Sequence, residues 1–239
     1  MRSSPCSLLL SLLLAAAATA SAQDSSAISP LVPLRNSSAG VDPTLGVAIG
    51  QALEIAIDDL PQPQRESMRK QRQDMERLGH AQVSDAMIAD SLQQLRQAAL
   101  VASPASPSSI QLSEISGSEL AGYRLLGTIS APTEPQRRVC TAKRVFERPD
   151  HIVVALEESR YACSDGGALI VREFANVRVG TALGFLTVNK SNSGLSLSTL
   201  EWSSHGNAYT LSVYDDVDQP SEPAYTRAWL LRLASGLHP

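Results

Sequence analysis

His205 lies inside "STLEWSSHGNAYTLSVYDDV", residues 198–217, where a polar turn separates two apolar runs. A turn histidine beside serines has the chemistry of a general base, provided that a nucleophile lies within hydrogen-bond reach and a third group orients the ring. Neither is supplied at any recognisable spacing. The other histidines, His80, His151 and His238, are scattered, and the chain holds no G-x-S-x-G, P-loop, H-E-x-x-H or G-x-G-x-x-G. The sequence therefore assigns no catalytic residue, no metal ligand and no cofactor. A hydrolase assembled from isolated residues, with His151 or His205 beside Ser, Asp or Glu, stays open as an alternative.

Two charged clusters offer binding chemistry instead. "QRRVCTAKRVFERPD" carries Arg137, Arg138, Lys143, Arg144 and Arg148, a positive patch suited to an anionic lipid headgroup, glycan or acidic surface. In a regular strand Arg137 and Lys143 point to one face and Arg138 and Arg144 to the other, which equally describes a charged edge strand that resists edge-to-edge pairing. "YDDVDQPSEP" gathers Asp215, Asp216, Asp218 and Glu222. Clustered carboxylates bind calcium, but the glycine and the terminal glutamate of an EF-hand loop are missing. Negative charge before a helix N-terminus is favourable in its own right.

The cysteines bear on the compartment. Arg2, the apolar run Leu8–Ala18 broken only by Ser11, and the small residues Ala20-Ser21-Ala22 form the three parts of a secretory signal peptide over residues 1–22. The apolar run is shorter than the roughly 20 residues a permanent anchor needs, and no later segment is long and apolar enough to span a membrane. Cleavage before Gln23 removes Cys6 and leaves Cys140 and Cys163, which in an oxidising compartment have one intramolecular pairing. A bridge closing that loop stabilises a fold by roughly 3 kcal/mol in the chain-entropy model. Arg2 is the only charge lost with the leader, so 19 basic residues face 24 acidic ones at a net charge of −5. Bulk electrostatics argues against nucleic-acid binding. The expected location is exported, periplasmic or secreted.

These groups need a scaffold. Residues 23–41 are rich in Ser, Pro and Ala and read as a flexible leader. Residues 42–102 read as a helical segment. Leu45, Ile49, Leu53 and Ile57 recur every four positions, Pro61 and Pro63 stop that first helix, a charged second helix ends at Gly79, and a third starts at the capping Ser84. The second helix is polar with a thin Met68, Met75, Leu78 stripe, which offers self-association as its use. "SPASPSS", residues 103–109, is a linker. From 110 to 239 the period changes to two. Strands are expected at 123–129, 139–146, 152–156, 169–174, 183–188, 197–202 and 209–213. A helix opening at Pro223 follows, with Thr226, Leu230, Leu233, Ala234 and Leu237 on one face. The fold class is α+β: a helical segment, then a curved antiparallel sheet of about seven strands, disulfide-bridged and covered by a C-terminal helix.

Leu195 and Leu197 fall out of phase with Leu200 and Trp202, which predicts either a bulge near Ser198-Thr199 or a strand buried on both faces. Leu200-x-Trp202, Gly206, Tyr209-x-Leu211 and Leu230-Leu231-x-x-Ala234-x-x-Leu237 resemble the closing hairpin and helix of small extracytoplasmic domains of bacterial membrane-anchored regulators and lipoprotein-like proteins, anti-sigma-factor partners among them. The resemblance covers residues 200–237 and implies an exported sensing or binding role. The favoured function is thus a non-enzymatic protein that binds a protein or envelope component. An inhibitor or immunity-type protein acting on a secreted enzyme is a third class, presenting Ser164–Gly167 or Ser203–Asn207 as its protruding loop.

Overall fold

Alternating side chains in the second half of the chain must bury two opposite faces, and the layers on either side follow from that demand. The structure, a computed structural model, describes residues 31–34, 52–101, 110, 112–133, 138–163 and 167–237. Its strands are β1 (Leu31–Leu34), β2 (Ala52–Ile55), β3 (Ala81–Gln82), β4 (Arg124–Thr133), β5 (Arg138–Glu147), β6 (Val153–Arg160), β7 (Gly167–Val171), β8 (Val177–Val179), β9 (Ala182–Lys190), β10 (Ser196–Ser204) and β11 (Asn207–Val213). Its α-helices are α1 (Gln62–Leu78), α2 (Asp85–Val101) and α3 (Arg227–Ser235). The large sheet runs β3–β9–β10–β11–β6–β5–β4, with β8 also paired to β9; β1–β7–β2 make a small second sheet. The α+β class holds.

Residues paired directly across strands share a face. Arg144, Leu156, Leu211, Leu200 and Leu186 form one such row, and Phe146, Val154 and Val213 belong to the next. On this face α3 seals a core with Trp229, Leu230, Leu233 and Ala234, joined by Leu120 from the segment before β4. Each large apolar side chain buried there contributes about 1.5–3 kcal/mol. Trp202 stacks on its cross-strand partner Tyr209, ring centroids 4.9 Å apart.

The opposite face carries two separate apolar clusters. Leu95 and Ala99 of α2 cover Val145, Val153 and Ala155 at one end. At the other end Met68 of α1 and Ile55, Ile57, Ile170 and Phe174 pack with Phe185 of β9. The segment preceding residues 103–109 therefore shares cores with the strands that follow. The thin methionine stripe of α1 is the contact it needs: Met68 is fully buried and Met75 packs beside it.

Several expectations change. Residues 52–55 are a strand, pairing in parallel with β7, and residues 57–59 a single 3-10 turn, so no helix runs to Pro61. Leu53 and Ile57 fit a four-residue stripe, but with Ile55 between them they also alternate by two, and a partner at residues 168–171 decides between the periods. Pro61 instead caps α1, whose second residue is Pro63, a position where a missing N–H costs nothing. Part of the leader, residues 31–34, is strand β1 beside β7. The strand expected at 169–174 belongs to the small sheet and turns into a 3-10 helix at Arg172. The sheets are not antiparallel throughout, since β3–β9 and β2–β7 are parallel pairs. Residues 1–22, the linker 103–109 and loop residues 164–166 lie outside the described residues.

Other expectations hold. Gly79 closes α1 at φ 74°, its N–H bonded to the Met75 carbonyl. Ser84 Oγ accepts the Met87 N–H at 3.2 Å. Cys140 and Cys163 form a disulfide, which ties β5 to the turn after β6. The register of β10 is continuous from Ser196 to Ser204, so the phase conflict resolves as burial on both faces without a bulge. His205 and Gly206 alone make the hairpin loop, both at positive φ (52° and 77°); Asn207 already belongs to β11.

Candidate functional site

Helix α2 lies over the sheet like a beam fixed at both ends. Its inward stripe is Ile88, Ser91, Leu92, Leu95, Ala98 and Ala99, the spacing one helical face requires. At the first end the Asp85 carboxylate accepts the Ser193 N–H at 3.3 Å from the β9–β10 turn. The Ser191 hydroxyl, then that amide, holds the Asp85 carboxyl below its ordinary pKa. At the other end the backbone of Ala99 sits so close to Gly127 of β4 that a Cβ there would stand 2.2 Å from the Ala99 carbonyl oxygen. Only glycine permits that approach.

Beneath the middle of the beam is a cleft of about 480 Å³. Ser91, Gln94, Leu95 and Ala98 form the helix wall, and Thr141, Lys143, Ala155, Glu157 and Ser212 the floor. Ile129, Leu197 and Tyr214 close its sides. The volume falls in the range of small-ligand sites.

The floor is polar because its rows are polar. Lys143, Glu157, Thr210 and Glu201 are successive cross-strand partners, as are Ser212, Thr199 and Thr187 in the next row. Lys143 Nζ lies 2.6 Å from Glu157 Oε2, with about a third of each side chain exposed (37% and 33%). The two charges cancel while staying in reach of solvent. The Tyr214 hydroxyl meets Ser91 Oγ at 2.7 Å. Burial pushes the Tyr214 phenol above its ordinary pKa, against the opposing effects of the Ser91 hydrogen bond and the Lys143 charge, so it stays a neutral donor and acceptor. Thr141 Oγ1 and Ser159 Oγ pair at 2.8 Å.

Among the described residues of the expected basic patch, Lys143 lines this cleft. Arg144, one residue on, faces the α3 side, where its Nη2 donates to Glu158 Oε2 at 2.7 Å and to the Ser113 carbonyl at 2.9 Å. Arg148 is fully buried. Its Nε and Nη2 donate to the two Asp150 carboxylate oxygens at 2.9 and 2.6 Å, and Nη2 also reaches Asp215 at 3.2 Å. Its guanidinium carbon stands 3.6 Å from the centre of the Tyr225 ring and 5.3 Å from that of Trp229. Arg144 and Arg148 are therefore matched, sealed charges rather than a surface for an anionic partner. Arg137 lies outside the described residues, and Arg138 opens β5.

The acidic cluster is likewise committed. Asp215 receives Arg148 and the Ser221 hydroxyl, Asp216 pairs with Lys190, and Asp218 takes a two-point contact from Arg227. Cations of the chain itself thus hold three of the four carboxylates, and Glu222 is exposed. His151 Nδ1 lies 2.7 Å from Glu147 with 84% of its side chain exposed. His205 sits at the exposed hairpin tip with its Nδ1 2.7 Å from Ser204 Oγ. The register of β6 against β11 places these two turns at opposite ends of the sheet.

Ser91, Gln94, Glu157, Ser212 and Tyr214 stand out only in three dimensions. Their signal in the sequence is the polar half of each alternation, Thr141/Lys143, Glu157/Ser159 and Thr210/Ser212, which reads as a solvent face until a helix is laid across it. No family model matches this chain, and neither the curated proteins nor the solved structures hold a similar one.

Proposed function

We propose that the protein is an exported binding module and that the cleft between α2 and the sheet is its ligand site. The carrying observation is the polar lining of that cleft. Hydroxyls, an amide and one partly exposed ion pair line an open volume of about 480 Å³ there, and each keeps hydrogen-bonding capacity that a ligand can use. The secretory leader chemistry of residues 1–22 and the disulfide both favour an oxidising, exported location. The resemblance of residues 200–237 to extracytoplasmic regulator domains fits a sensing use, with an envelope component as ligand.

The reading is tested by filling the cleft. Ala98→Trp puts a large side chain into it from the helix wall. Ligands found by a thermal-shift screen of the purified protein should raise the melting temperature of the wild type and leave the variant unmoved. Ligands that stabilise both equally would remove the cleft as the site. Ester or glycoside hydrolysis lost in His151→Ala or His205→Ala would replace this reading with a hydrolase.

A further inference from the structure

We infer that the ligand of the cleft is uncharged and rich in hydroxyl groups, a neutral sugar. This inference rests on the cleft being the binding site. The charges on the floor already balance: Lys143 and Glu157 touch at 2.6 Å, and among the described residues no other charged side chain lines the cavity. An anionic or cationic ligand would bring an unbalanced charge beside a pair that is already neutral, attracted by one member and repelled by the other. A hydroxyl is both donor and acceptor, so it accepts from the Lys143 ammonium while donating to the Glu157 carboxylate, and both ions remain satisfied.

The remaining polar groups have the same dual character. The hydroxyls of Ser91, Thr141, Ser212 and Tyr214 and the Gln94 amide can each give and receive hydrogen bonds, and they stand on both walls. A small zwitterion, such as a dipeptide, would use the ion pair and leave most of these hydroxyls to water. A molecule carrying hydroxyls on every side uses them together. Leu95, Ala98, Ile129, Leu197 and the Tyr214 ring supply apolar surface between the polar points, which suits the C–H faces of a pyranose ring. The size of the cleft favours more than one sugar unit.

Calorimetric titration of the purified protein tests this with five probes. Cellotriose, maltotriose and N,N′,N″-triacetylchitotriose are neutral; trigalacturonate is acidic; glycylglycine is zwitterionic. At least one neutral trisaccharide should bind, with trigalacturonate and glycylglycine at least about tenfold weaker. Glu157→Gln should weaken that sugar about tenfold, because a charge-assisted hydrogen bond is lost. Ser212→Ala, the gentler variant, should weaken it less, and Ala98→Trp should abolish it. Binding by none of the three neutral sugars, or tighter binding of either charged probe, overturns the sugar assignment. If a charged probe binds and Ala98→Trp removes it, the cleft remains the site and only the ligand class fails. Sugar binding that Ala98→Trp leaves intact removes the cleft as well.

Discussion

Two ion pairs sit one residue apart on the same two strands and face opposite ways. Arg144–Glu158 looks towards α3 with 9% and 3% of the side chains exposed, while Lys143–Glu157 looks towards α2 with 37% and 33% exposed. The rows around them differ in the same sense: Leu156, Leu211, Leu200 and Leu186 continue the first, and Thr210 and Glu201 lie along the second. A charge pair sealed among leucines works as structure, because either ion alone would be stranded in a poor solvent. A charge pair beside open space keeps its hydration and can offer its remaining hydrogen-bonding capacity to a ligand. Residue type is nearly the same in both. What differs is what the layer above leaves uncovered.

The largest expected effect breaks this contrast directly. Arg144→Met leaves the Glu158 carboxylate buried without its cation and should cost about 3–5 kcal/mol in urea unfolding. Lys143→Met on the other face should cost less than about 1 kcal/mol, since the pair is exposed. Equal losses would mean that the two faces are not distinct in kind.

A smaller effect tests how α2 is held over the cleft. Gly127→Ala forces a methyl group against the Ala99 carbonyl oxygen at 2.2 Å, so the helix end or the strand must shift. The expected loss is about 1–3 kcal/mol, with hydrogen exchange accelerating at the C-terminal end of α2 and not in α3. Uniform acceleration across both helices would argue against α2 as a separately anchored cover.

The smallest effect is in acid. Hydrogen bonds from Arg148 hold the Asp150 carboxyl below its ordinary value of 3.8, against the opposing effect of burial. A lowered folded-state pKa gives stability that is present above the unfolded value and lost as pH falls through the folded one. The stability gap between wild type and Asp150→Asn should therefore narrow from about pH 5 downward. Urea midpoints across that range measure it, and a gap that stays constant would show that the contact is not a charge effect.

Much of the scaffold was legible. Period-two alternation located all seven expected strands, and Ser84, Gly79 and the two cysteines did what their chemistry demands. Local pattern failed where a distant partner chose between two readings. Residues 52–55 fit a helical stripe until β7, more than a hundred positions away, offers a ladder. Trp229 went unmarked as a core residue, although it is buried and its Nε1 donates to Glu119 at 2.9 Å. That partner comes from a segment 110 positions earlier.

By itself the sequence determined the chemistry of each side chain and the period at which it recurs, hence the α+β class, the disulfide pairing and the phase conflict within β10. Only the tertiary structure decided which charges are sealed and which stay open. Arg144, Arg148 and Lys143 are alike in composition and close in the chain, but strand alternation sends neighbours to opposite faces. The layers that cover those faces, α3 with the acidic loop on one side and α2 on the other, are brought there by contacts far apart along the chain.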